Sequence, residues 1–135
     1  MVEVVNRQRR CKVPPRDWSD LGKNILDEIG RDGSSATIAF VSDRKSRELN
    51  RTFRGIDRPT DVLSFPSGDS GSELGDIAVS IETAKIQARQ NGLSLDREIA
   101  QLILHGLLHL CGYDHETDNG EMNRLELRLR RRLKI

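Results

Sequence analysis

The chain has 135 residues, of which 36% are apolar and 32% are charged, and its formal net charge is +1. This length and balance are typical of one soluble domain whose core needs no disulfide bonds. No apolar run is long enough to span a bilayer and the amino terminus lacks a secretory signal pattern, so we expect a cytoplasmic protein with no membrane contact. Cys11 and Cys111 are therefore expected to be reduced thiols.

The periodicity of the apolar residues predicts four strands and five helices. Pro14, Gly30 and Gly92 interrupt the pattern and mark ends of elements, whereas Ser42 and Ser94 are typical helix caps. The predicted elements, in chain order, are a strand at 2–5, a helix from about 18 to 29, a strand at 36–41, a helix from 43 to about 54, strands at 61–65 and 75–80, and helices at 81–91, from about 95 to 110 and from about 122 to 133.

These elements predict a single α+β domain over residues 1–135, with a four-stranded mixed sheet packed against about five helices. Residues 67–72 are rich in glycine, serine and aspartate, and so short a turn predicts that the strands on either side are antiparallel neighbours. The segment from Leu102 to Leu110 is apolar nearly all round except for two histidines. This pattern indicates a central buried helix.

All three histidines of the chain lie between Leu104 and His115. His105 and His109 are four residues apart, so on a helix they lie on the same face. Gly112 is the residue type that ends helices in the left-handed conformation, and a turn there would bring His115 back towards the other two. Three neutral imidazoles with a free fourth position are typical of a catalytic zinc site. We therefore predict one zinc ion per chain, held on the central helix and the turn after it.

Simpler interpretations of these residues stay open. Two histidines at this spacing are often only exposed helix residues, and Cys111 is interpreted as a small core residue rather than a ligand. The spacing resembles the His-Glu-x-x-His pattern of zinc peptidases, but Gly106 stands where their catalytic glutamate would be, so peptide cleavage by that route is not expected. Asp114 could orient a ligand histidine or accept a proton, although capping of the turn after Gly112 is the favoured interpretation.

Basic residues are concentrated at both ends of the chain, whereas the segment between Arg58 and Lys85 carries only acidic charges. The basic ends could form a surface for a polyanion such as RNA, or they could be solvated helix faces. Since aromatic residues are only 4% of the chain, RNA recognition would depend on backbone charge and a groove more than on stacking. The basic ends contain Arg7, Arg9, Arg10, Lys12 and Arg16, and Arg128, Arg130, Arg131, Arg132 and Lys134.

Two stretches of the chain resemble one known family. Residues 105–115 are His-Gly-Leu-Leu-His-Leu-Cys-Gly-Tyr-Asp-His, and a second block consists of the segments Leu49–Gly55 and Pro59–Pro66. The first stretch is similar to the signature H-G-x-L-H-L-x-G-Y-D-H of the bacterial YbeY endoribonucleases, and the second is similar to another block of that family. The resemblance implies a metal-dependent endoribonuclease specific for single strands. It also implies that His105, His109 and His115 bind the zinc ion and that Arg54 is the family's important arginine beside it.

The resemblance further implies a role in maturation of the 3′ end of 16S ribosomal RNA and in late quality control of ribosomes. The expected partners are single-stranded RNA and the small ribosomal subunit, with a ribosomal protein or an assembly GTPase as further candidates. Two alternatives remain: a ribosome-assembly factor whose metal is mainly structural, and a zinc hydrolase of a non-RNA substrate. The sequence leaves open whether the nucleophile that attacks the phosphodiester is water held by the metal or the ribose 2′-hydroxyl. It also leaves the metal open, because nickel and copper accept imidazole ligands too.

Overall fold

The computed structural model describes residues 1–68 and 71–135, and within these ranges four strands and five α-helices form one mixed α+β arrangement. This confirms the predicted fold class, and most element boundaries lie within one or two residues of the sequence prediction. The predicted turn at 67–72 includes residues 69 and 70, which lie outside the described residues. The elements are β1 (Val2–Asn6), α1 (Trp18–Ile29), β2 (Ser35–Val41), α2 (Asp43–Arg54), β3 (Val62–Pro66), β4 (Glu73–Ser80), α3 (Ile81–Asn91), α4 (Leu95–Leu110) and α5 (Glu121–Leu133).

The strands lie in the order β1-β2-β4-β3. β2 is parallel to both β1 and β4, whereas β3 is antiparallel to β4, as the short connection between them predicted. Parallel neighbours need a crossover connection, and α1 supplies it between β1 and β2. In this strand order β3 is an edge strand, and the loop of residues 55–61 connects it to the end of α2.

Helix α4 lies against the sheet at the centre of the core. Its residues Leu104, Leu107 and Leu108 have no exposed surface, which confirms the central buried helix. The helix approaches β4 closely at Gly106, since a Cβ atom there would be 3.0 Å from two side-chain atoms of Ile77. The hydroxyl of Ser64 in β3 donates a hydrogen bond to the Gly106 carbonyl at 3.1 Å. Gly106 is thus a packing residue, and a glutamate at this position would point into the sheet.

Helix ends are fixed by the caps that the sequence contains. Ser42, Ser80 and Ser94 each accept a hydrogen bond from a backbone amide in the first turn of α2, α3 and α4, respectively. Gly55 ends α2 in the left-handed conformation, so that Arg54 is its last residue. None of the described helices is long and apolar enough to cross a membrane.

Candidate metal centre

The three histidines come together at the carboxyl end of α4. His105 and His109 lie one turn apart on the helix, and their Nε2 atoms are 3.1 Å from each other. The chain turns after Leu110, with Gly112 at a φ of 94°, a left-handed conformation that suits glycine. His115 then returns towards the helix, and one nitrogen from each of the three rings lies within 4.8 Å of the others. The convergence expected from the spacing is therefore present.

The hydrogen bonds of two of these rings orient them towards a common point. The Nδ1 atom of His105 is 3.1 and 3.3 Å from the two carboxylate oxygens of Glu126, and the Nδ1 atom of His109 is 2.9 Å from the Tyr113 carbonyl oxygen. A carboxylate and a carbonyl oxygen can only accept, so each Nδ1 donates and the two Nε2 atoms face each other. Two ring nitrogens at this distance require a proton or a metal ion beside them, and this arrangement of donors fits a metal ion. His115 is exposed and completes the set.

Glu126 is the site residue that the sequence analysis missed. It comes from α5, its side chain is 9% exposed, and its Oε1 atom lies 3.5 Å from an Nη atom of Arg130. The one signal in the sequence is its position within the apolar face of α5, between the buried Met122 and Leu129. A charged residue on the buried face of a helix requires a partner, although the helix alone does not say which.

The charges of these groups influence one another. Burial raises the pKa of the Glu126 carboxyl, but the hydrogen bond from His105 and the charges of His105 and Arg130 outweigh it, so the pKa lies below its usual value. The hydrogen bond with Glu126 raises the pKa of His105 against the effect of burial. Burial, followed by the neighbouring His105, lowers the pKa of His109. Glu126 is therefore a carboxylate near neutral pH, and His109 is a neutral imidazole able to bind a metal.

The histidines open into a cleft of about 1120 Å³. Arg54, at the carboxyl end of α2, lies in the wall of this cleft. Its side chain is exposed and makes no hydrogen bond or ion pair with any residue in the ranges 1–68 and 71–135. The loop after it is anchored to α2 by three hydrogen bonds. The Ser46 hydroxyl donates to the Thr60 carbonyl and accepts from the Thr60 amide, and the Asn50 side chain donates to the Arg58 carbonyl.

The remaining predicted residues have structural contacts. Asp114 lines the cleft, and its Oδ1 atom accepts a hydrogen bond from the Glu116 amide at 3.0 Å, the turn-capping arrangement that the sequence favoured. Cys111 is half-buried and packs against the core. Of the basic residues at the chain ends, Arg16 pairs with Asp96 and Arg132 with Glu28, so part of that charge is neutralised. Arg130 lies in the cleft, and its buried Nε atom lacks a hydrogen-bond partner in the described part of the chain.

Comparison with known proteins identifies relatives over most of the chain. The family model described as Endoribonuclease YbeY matches residues 3–134. A protein named Endoribonuclease YbeY from Solibacter usitatus is 50% identical over 102 residues, which are 76% of this chain and 68% of the relative. A protein of the same name from Aquifex aeolicus is 43% identical over 125 residues, 90% of this chain and 80% of the relative.

A structural relative supports the same fold. A protein from Thermotoga maritima, whose solution structure is known, superimposes with a TM-score of 0.58 at 28% sequence identity. The match covers 95% of this chain and 85% of that protein. The four-stranded mixed sheet with five helices is thus similar to an arrangement found by experiment.

Proposed function

The chain belongs to the YbeY family, and we propose that it is a zinc-dependent endoribonuclease that cleaves single-stranded RNA. Residues 1–135 would form a single metallo-endoribonuclease domain. The observation that carries this proposal is the convergence of three imidazoles in a cleft that also contains the Arg54 guanidinium, which has no ion-pair partner among the described residues. The relatives that bear the name of an endoribonuclease supply the reaction class, and the cleft supplies the groups that such a reaction needs.

His105, His109 and His115 are the proposed ligands of one zinc ion. Nitrogen ligands from three neutral histidines suit zinc and leave a position free for a substrate. When bound, zinc would polarise a phosphoryl oxygen or lower the pKa of a water molecule at the free position. Glu126 and the Tyr113 carbonyl hold two of the rings in the orientation and tautomer that ligation requires. Asp114 would keep the turn that carries His115 in place.

Arg54 is the proposed contact to the phosphodiester that is cleaved. Cleavage builds negative charge on the non-bridging oxygens, and a guanidinium can bind two of them with parallel hydrogen bonds. A side chain already engaged in an ion pair would have to release its partner first. Arg54 has no such partner among the described residues, and the anchored loop after it fixes the helix end that carries it.

The proposed biological role follows the family. We propose that the RNA is the 3′ region of small-subunit (16S) ribosomal RNA, that the protein acts in its maturation and in late ribosome quality control, and that it works in the cytoplasm with the small ribosomal subunit. A ribosomal protein or an assembly GTPase would be a further partner. Arg130, also in the cleft, adds a positive charge suited to a polyanion.

The test combines metal analysis with cleavage of a single-stranded RNA. His115→Ala removes an exposed ligand without opening the core, and Arg54→Ala removes the proposed phosphate contact. Arg44→Ala is the matched control, because Arg44 is an exposed residue of the same helix and lies outside the cleft. All variants are checked for folding by circular dichroism.

We expect one zinc ion per chain in the wild type and in both arginine variants, and loss of zinc in His115→Ala. We expect cleavage of RNA to require zinc, to fall by at least about a hundredfold in Arg54→Ala, as for other groups that stabilise transition-state charge, and to be unchanged in Arg44→Ala. Full cleavage by a folded Arg54→Ala protein would refute the role of Arg54. Zinc without any metal-dependent cleavage of RNA would refute the endoribonuclease.

A further inference from the structure

The cleft continues beyond the histidines along α4 and α3. Gln101 lies four residues before His105, so on α4 it occupies the same face, about one helical pitch of 5.4 Å away. Gln87 and Gln90, three residues apart on α3, line the same cleft. None of these three side chains, hereafter the amide wall, forms a hydrogen bond within the described ranges 1–68 and 71–135. The cleft is thus lined by three carboxamides without hydrogen bonds among the described residues, and one of them, Gln101, lies one turn from the proposed zinc ligand His105.

The backbone that carries the amide wall is held in place by a separate contact. The Asn91 amide at the end of α3 donates a hydrogen bond of 2.8 Å to the Glu98 carboxylate in α4, and Glu98 is only 4% exposed. This pair fastens the two helices together beside the cleft. Leu93 and Leu102 line the same cleft and add apolar surface to it. The two helices therefore hold hydrogen-bonding groups and apolar groups together on one side of the cleft.

The chemistry of this surface differs from that of a phosphate site. A phosphate is bound by cations and backbone amides, whereas a neutral carboxamide offers one donor and one acceptor side by side. The edges of nucleobases present the complementary pair, and glutamine is among the side chains that read them with two hydrogen bonds. The flat face of a base is apolar enough to lie on leucine side chains. Since the cleft holds the proposed reaction centre one turn away, a base bound here would belong to a nucleotide next to the cleaved bond.

We infer that the amide wall is a base-recognition subsite, in which Gln101 contacts the edge of one unpaired nucleobase adjacent to the phosphodiester at the histidines. This inference rests on the proposed function for the identity of the ligand as RNA. It makes Gln101 a specificity residue rather than a catalytic one. The RNA would be held by its backbone at Arg54 and by one base at Gln101, which requires that the base be unpaired.

The test measures binding and cleavage separately. The RNAs are oligouridylates of equal length that carry one adenosine, guanosine or cytidine at each position in turn. Binding is measured by fluorescence anisotropy in the Arg54→Ala background, and the RNA is checked for integrity after each titration. Gln101→Leu removes both hydrogen-bonding atoms, and Gln101→Glu keeps the size but leaves only acceptors. Asn24→Leu, an exposed carboxamide of α1 outside the cleft, is the control.

We expect one base at one position to change the Kd by about tenfold, within the range that a two-bond contact to a base supplies. Gln101→Leu should abolish this preference, Gln101→Glu should change which base is preferred, and Asn24→Leu should retain it. The absence of any base preference, or a preference that survives Gln101→Leu, would overturn the inference. If the wild type cleaves RNA but these results fail, the proposed function stands without the subsite. If it binds with a Gln101-dependent preference but never cleaves, the subsite stands and the proposed function fails.

Discussion

Replacing the buried carboxylate beside the proposed zinc ligands should weaken metal binding without removing any of the three histidines. Glu126→Gln retains the size of the side chain and an oxygen that can accept from His105, but it removes the negative charge. In the structure both carboxylate oxygens lie within 3.3 Å of the His105 Nδ1 atom, and only 9% of the side chain is exposed. The substitution therefore tests what the charge contributes at fixed geometry.

The expected magnitude follows from the strength of this one contact. A hydrogen bond to a charged group contributes about 1.5 to 3 kcal/mol, and a neutral one contributes about 1 kcal/mol. The difference, about 0.5 to 2 kcal/mol, corresponds to a change in an equilibrium constant of roughly two- to thirtyfold, with tenfold at about 1.4 kcal/mol. Loss of a group that orients a metal-binding histidine commonly weakens metal affinity by about 10- to 100-fold, which agrees with this range. We therefore expect the Kd for zinc to rise about tenfold.

Competition with a chromophoric chelator measures this Kd directly. The matched control is Glu116→Gln, which removes a negative charge from the turn that carries His115. The Glu116 side chain is exposed and forms no hydrogen bond with His105, His109 or His115. Because exposed charges are screened by water and salt, the control should change the Kd by less than about threefold. Equal effects of the two substitutions would mean that only overall charge matters, and an unchanged Kd in Glu126→Gln would refute the orienting role of Glu126.

Two further predictions concern the elements that hold the site. Gly106→Ala places a methyl group 3.0 Å from Ile77. Overpacking costs about 1 to 3 kcal/mol and exceeds the gain in helix propensity of about 1 kcal/mol. Urea denaturation should therefore show a free energy of unfolding lower by about 1 kcal/mol, which Ile77→Val partly restores, and an equal or higher stability would contradict the close approach. Hydrogen bonds from the Met122 and Gly120 amides lower the pKa of Asp118 in the folded protein. The carboxylate therefore stabilises the fold at pH values above its pKa in the unfolded chain, which is about 4, and this contribution is lost as the pH falls through the lower pKa of the folded protein. Thermal denaturation of Asp118→Asn should therefore show a lower Tm than wild type at pH 7 and the same Tm well below pH 4, and a difference that persisted in acid would contradict this reasoning.

The parts of the fold that could be predicted are those specified by local pattern. Helix α4 carries an apolar surface nearly all round, and such a segment can be stable only in a core. His105, His109 and His115 could be identified because helix geometry and the turn at Gly112 convert spacing in the sequence directly into proximity in space. Their side chains come from a single continuous segment, so no knowledge of the sheet was needed to bring them together.

The parts that could not be predicted depend on which elements meet. Glu126 lies 21 residues after His105, and only the packing of α5 against α4 makes them neighbours. Gly106 could be recognised in the sequence as the absence of a peptidase glutamate, but its positive role requires the position of Ile77 in β4. The amide wall likewise requires that α3 and α4 face the same cleft. Pairwise contacts between distant segments are properties of the tertiary structure, and periodicity within one segment does not contain them.

The contact between His105 and Glu126 bears on whether the metal would be catalytic or structural. Since Met122 and Leu129 of α5 are buried in the core, the helix that supplies Glu126 is already held by apolar packing. Its position therefore does not rest on the contact with His105 alone, and a ring orientation supported in this way suits a reaction centre. Arg54 decides between the two interpretations, because within the described residues it forms no hydrogen bond or ion pair with α4 or α5 and is not part of the hydrophobic core. If the Arg54→Ala protein is folded and contains zinc but has lost its biological role, that role depends on chemistry in the cleft and not on the stability of the fold.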